Sequence, residues 1–122
     1  MPQQFTNDIE TKYSGLIRDA NFVVSAYHAD KSPALQIMSP EGEAVLTASV
    51  CMDIPPEEDC IIIKDWSENE GIEAVLIKAG LIEANNDPRL HASGFVLAGE
   101  FKMIGKLLEA WQKFKATELQ YL

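Results

Sequence analysis

The residues best able to do chemistry lie in one run, Asp65-Trp66-Ser67-Glu68-Asn69-Glu70-Gly71, which sets three carboxylates, an amide and an indole within seven positions. Carboxylates at this density suit docking to a basic partner, or imitation of a phosphate backbone. An indole and an amide beside a glycine suit the wall of a small-molecule pocket. His91, read in a polar loop beside Arg89 and Ser93, is a further candidate contact for such a ligand.

Other chemistries fit the run poorly. Asp65, Ser67 and Asn69 match the first three ligands of a calcium loop, but Glu70 stands where the turn glycine belongs. Leu76 stands where the closing glutamate belongs, so no metal is expected. Glu68 and Glu70 would occupy a helix N-terminus, which disfavours anion binding there. Neither cysteine has a basic neighbour, and the chain carries no Gly-x-Ser-x-Gly elbow and no phosphate-binding glycine loop. No catalytic residue and no cofactor is expected, and an enzyme using paired carboxylates ranks last among the alternatives.

The acidity extends beyond the run. Asp53, Glu57, Glu58, Asp59, Asp65, Glu68, Glu70 and Glu73 face Lys64 alone between positions 53 and 73. The whole chain holds 19 carboxylates against 10 basic side chains, a net charge of −9. Direct binding to nucleic acid is therefore not expected, because a phosphate reader needs clustered Lys and Arg. The candidate binding surface is Glu57, Glu58, Asp65, Trp66, Glu68, Asn69 and Glu70, with His91.

The elements that must position these residues read as follows. Ile9, Tyr13, Leu16, Ile17 and Ala20 recur at helical spacing, which predicts a helix over 6–20 with Gly15 weakening it. Three strands then follow from alternation, over 22–27, 35–37 and 45–52, with a hairpin turn at Ser39-Pro40-Glu41-Gly42-Glu43. Ile61-Ile62-Ile63 is continuous, as in a strand covered on both faces and central in its sheet. Ser67 and Glu70 have capping-box spacing, and Ile72, Val75, Leu76 and Ala79 form one helical face. Gly71 at the fourth helical position reads as room beside the indole, Gly80 as the helix stop, and Leu81 as folding back on Leu76. A loop over 84–93 leads to a strand over 95–103, where Gly99 suggests a bulge. Leu107, Leu108, Trp111 and Phe114 mark a helix over 106–119.

Together these predict one domain of α+β class: a largely antiparallel sheet, a central strand–turn–helix unit and a C-terminal helix packed on the sheet. Neither a signal peptide nor a membrane-spanning run is visible, which points to the cytoplasm. Cys51 and Cys60 fit reduced core residues. The Leu107-Trp111-Phe114 stripe could serve a homo-oligomer or the core.

The run Ile63-Lys64-Asp65-Trp66-Ser67-Glu68-Asn69-Glu70-Gly71, with Ala79-Gly80-Leu81-Ile82 and Ser93-Gly94-Phe95-Val96, resembles a family of small uncharacterised proteins carried by phages and bacterial mobile elements. Gly42 and the strand ending near Met52 extend the resemblance to about two-thirds of the chain. Trp66 stands where a tyrosine is as common, and the C-terminal helix is longer than the family's. What the resemblance implies is a setting: a small acidic protein acting on a host or defence factor by binding it.

Overall fold

The computed structural model describes residues 1–94 and 96–119, and its fold is α+β, with two antiparallel sheets and two helices. The first sheet is a meander of β1 (Gln3–Thr11), β2 (Gly15–Ala26), β3 (Pro33–Met38) and β4 (Ala44–Thr47), in that order. The second contains β5 (Cys60–Ile63), β6 (Arg89–Ser93) and β7 (Val96–Lys102), ordered β5-β7-β6. Helix α1 (Ile72–Lys78) follows β5, and α2 (Gly105–Phe114) packs against β1 and β2. A π-type turn, Lys115–Leu119, continues α2.

The helix expected over 6–20 is instead the β1–β2 hairpin. Its turn, Lys12 to Ser14, sets Ile9 opposite Ile17, and Phe5 stacks on its partner Phe22 with ring centroids 5.0 Å apart. Asp8 alone lies between the paired Asn7 and Ile9, while Arg18 and Asp19 lie between their partners Ala20 and Ile17. The resulting bulge puts Asp19 at φ 52°, and the Asp8 carboxylate accepts its N–H at 2.8 Å. The bulge returns Ala20 to the interior, where it is buried with Ile9.

Other expectations hold with altered bounds. The 39–43 turn closes through Ser39 N–H to Glu43 O at 2.8 Å and Gly42 N–H to Ser39 O at 2.9 Å. The strand expected over 45–52 stops at Thr47, and residues 48–50 turn to β5. There Val50 N–H donates to Ile62 O at 3.1 Å, and Lys64 N–H to Ala48 O at 2.8 Å. Ile61, Ile62 and Ile63 are thus buried on both faces, as their unbroken apolar run requires, although β5 is an edge strand of its own sheet.

Gly80 stops α1 at φ +74°, with Gly80 N–H donating to Ile77 O and Leu81 N–H to Leu76 O, both at 3.0 Å. These are the paired bonds of a Schellman motif, and the positive φ is what calls for glycine. Gly99 makes no bulge: it pairs in register with both Ile63 and Leu90. A Cβ there would sit 2.8 Å from the Phe101 ring, so glycine is needed for space. Phe95, expected in this strand, lies outside the described residues. Leu107, Trp111 and Phe114 are buried in the core, so this stripe is not an exposed surface for a second copy.

Candidate functional site

Asp65 leaves β5 and organises the turn that follows. Its Oδ1 accepts the Gly71 N–H at 2.7 Å and its Oδ2 the Glu73 N–H at 3.0 Å. Asp65 therefore satisfies the start of α1, and the expected Ser67–Glu70 capping box does not form. A 3-10 turn, Ser67–Asn69, comes first, and α1 begins only at Ile72. Gly71 precedes it at φ +90°, a conformation open to glycine. A Cβ at Gly71 would meet nothing within 4 Å, so backbone conformation, not room for the indole, explains this glycine.

Asn69 is 2% exposed, and its Nδ2 donates to the Thr47 carbonyl at 2.6 Å. This bond fastens the turn to β4, which accounts for an amide at this position. Its Oδ1 has no hydrogen-bond partner among the described residues, and Asn69 lines a cavity of about 10 Å³, near the size of one water. Asn69 is thus turned inward.

The outward face of the turn forms an open cleft of about 610 Å³ with the tip of the β1–β2 hairpin, lined by Tyr13, Asp65, Trp66, Ser67, Glu68 and Glu70. Lys64 Nζ sits 6.0 Å from the centroid of the Trp66 ring and 2.9 Å from Glu68 Oε1. Lys12 Nζ sits 5.6 Å from the Tyr13 ring and 2.5 Å from Glu70 Oε2. Each aromatic ring is therefore paired with a carboxylate, and each pair holds one of the protein's own ammonium groups. The Lys64 hydrogen bond, foremost, holds the Glu68 carboxyl down at about 2, and the bond to Glu70 raises Lys12. Both ion pairs are solvent-exposed, so each holds its lysine weakly.

Glu57 and Glu58 do not share this cleft. They lie before β5 and the cleft residues after it, and the four extended residues of β5 alone span about 13 Å. Cations from distant parts of the sequence meet them. Arg89 Nη1 is 3.6 Å from Glu57, and Lys115 Nζ is 3.9 Å from Glu58 and 3.1 Å from Asp59. The acidic run is thus two patches at opposite ends of one strand.

His91 is not in a loop. It lies in β6, is 6% exposed, and its Nε2 is 2.8 Å from Glu100 Oε1. It takes no part in the Trp66 cleft. Glu100 is also buried; its Oε2 accepts the Glu57 N–H at 3.1 Å, and Arg89 Nη1 lies 3.9 Å from Oε1. Glu100 falls within the strand expected over 95–103, and alternation alone does not mark it as a buried carboxylate. The signal was the β6–β7 hairpin, whose register sets Arg89 opposite Glu100 and His91 opposite Ala98. This cluster anchors the segment carrying Glu57. Its neighbour Cys60 is pushed up to about 11 by burial and by the Glu100, Glu57 and Asp59 carboxylates. A thiol held neutral in this way is a poor nucleophile. Cys51 is raised as well, by burial and by Asp30.

Among the described residues, no three His, Cys, Asp or Glu side chains gather to hold a metal ion, and no helix is long and apolar enough to cross a membrane. Comparison with protein-family models, with curated proteins and with solved structures gave no match.

Proposed function

We propose that this protein is a non-enzymatic interaction protein whose Tyr13–Trp66 cleft captures cationic side chains of a basic partner. The observation that carries this reading is the pairing of each ring with a carboxylate and an ammonium group. The protein's own lysines mark the chemistry that the cleft accepts. A guanidinium group suits it better than an ammonium, because its plane stacks on a ring while its N–H fork reaches a carboxylate. Displacing Lys12 and Lys64 costs little, since both pairs are exposed.

The resemblance to proteins of phages and mobile elements supports a host or defence factor as that partner, met in the cytoplasm. The second acidic patch, Glu57 and Glu58, is held by Lys115, Arg89 and Glu100 and serves as a secondary contact. The small-molecule reading that joined Trp66, Asn69 and His91 loses its geometric basis, because Asn69 and His91 are buried away from the cleft.

Affinity capture from bacterial lysate tests the proposal. Wild-type protein retains a basic partner, and Glu68→Lys with Glu70→Lys loses it while circular dichroism stays native. Glu57→Lys with Glu58→Lys weakens retention less. Undiminished retention by the cleft variant would sink the proposal.

A further inference from the structure

A second cavity, of about 260 Å³, lies where the β2–β3 turn, the 55–59 segment and the end of α2 converge. The β2–β3 turn is fixed by Tyr27 N–H to Ser32 O and Lys31 N–H to Tyr27 O, both at 2.9 Å. The Ser32 N–H donates to Asp30 Oδ1, also at 2.9 Å. These bonds set two oxygens in place without satisfying them. Ser32 Oγ and Asp30 Oδ2 are buried, with Ser32 only 6% exposed, and neither completes a hydrogen bond, although the hydroxyl lies near enough to act on the carboxylate. Pro33, Pro55 and Pro56 line the same cavity and carry no N–H to offer.

The charge around these oxygens decides what they lack. Burial pushes the Asp30 carboxyl up, but the nearby Ser32 hydroxyl and N–H, then the Cys51 thiol, outweigh it and hold the carboxyl below its usual range. Asp30 is therefore ionised and can only accept. It forms no ion pair among the described residues, Lys31 beside it included. Across the cavity, Lys115 is engaged by Asp59 and Glu58 and sits 5.7 Å from the Trp111 ring. An anion would take the Ser32 hydroxyl's proton as a donor but leave Asp30 Oδ2 unsatisfied and face a fixed carboxylate. A calcium or magnesium ion would find too few oxygens. A donor-bearing cation satisfies both.

We infer that this cavity is a binding site for a primary alkylammonium group, donating one N–H to Asp30 Oδ2 and another to Ser32 Oγ, with its alkyl chain against the proline rings. The cavity falls below the roughly 300–1,000 Å³ of sites for drug-sized ligands, so the ligand is a small amine or a single lysine side chain. It is independent of the Tyr13–Trp66 cleft, with which it shares no lining residue.

Titration followed by amide NMR tests the site with two probes, 1,4-diaminobutane and the capped tripeptide acetyl-Gly-Lys-Gly-amide, and with 1-butanol as the uncharged control. Saturable shifts at the Ser32 and Asp59 amides with either amine support the site. Binding of the diamine alone assigns a free amine, and binding of the peptide assigns a partner's lysine. Asp30→Asn keeps the Oδ1 that holds the turn, and both it and Ser32→Ala weaken binding by about tenfold or more, the loss of a charge-assisted bond. No saturable shift with either amine overturns the inference. So do equal shifts with 1-butanol, or unchanged affinity in both variants.

Discussion

Removing the Asp65 carboxylate tests how the turn beneath the cleft is built. Asp65→Ala deletes two acceptors at once, those of the Gly71 N–H at 2.7 Å and the Glu73 N–H at 3.0 Å. Losing an N-terminal cap costs about 0.5–2 kcal/mol, and hydrogen bonds to a charged group lie at or above the upper end of that range. Water can replace part of both bonds, since Asp65 is only partly buried. The expected loss is about 2 kcal/mol, or about 8 °C in Tm for a chain of this size. Ser67→Ala, which breaks the box expected from sequence, should cost less than about 0.5 kcal/mol, because the Ser67 side chain makes no cap bond. Urea denaturation of both variants decides. Equal losses, or a larger loss at Ser67, would refute the assignment of Asp65 as the cap.

Three further outcomes follow from the geometry. Gly99→Ala should cost about 1–3 kcal/mol in urea denaturation, because its Cβ would sit 2.8 Å from the ring of buried Phe101; unchanged stability would contradict that packing. Glu100→Ala should cost about 3 kcal/mol by leaving His91 and the Glu57 N–H unpaired. Adding His91→Ala should then cost little more, and an additive double-mutant cycle would argue against a coupled pair. The Glu68 carboxyl, held at about 2 against a usual 4.5, contributes stability that is full above 4.5 and lost as pH falls through about 2. Glu68→Gln should therefore flatten the acid limb of the stability profile across that window, less so in high salt, and an unchanged limb would count against the Lys64 pair.

What was legible in the sequence was local. The Ser39–Glu43 turn and the Gly80 stop with its Leu81–Leu76 bond each depend on residues close in the chain, and the Ile61–Ile63 run shows its burial in its own unbroken apolar composition. The β1–β2 hairpin was misread for a specific reason. Ile9 and Ile17 are eight residues apart, a spacing that fits one helical face and also a cross-strand pair about a short turn. The bulge at Arg18 and Asp19 then kept Ala20 inward, completing a false helical pattern. The acidic stretch was visible, but not the cations that divide it. Lys12 reaches Glu70 across 58 positions and Lys115 reaches Asp59 across 56. Asn69 and His91 stood out as polar residues without a local duty. Their duties are to Thr47 O and Glu100, which only the tertiary fold brings near.

The central claim is that the Tyr13–Trp66 cleft takes cationic side chains, guanidinium ahead of ammonium. Its most direct test is an NMR titration of the Trp66 indole N–H with an arginine-rich peptide, a lysine-rich peptide of equal charge and a glutamate-rich control. The account predicts a saturable shift with the arginine peptide, a weaker one with the lysine peptide, none with the control, and loss of all binding in Glu68→Lys with Glu70→Lys. An indole resonance indifferent to the arginine peptide, or equally responsive in that variant, would contradict it.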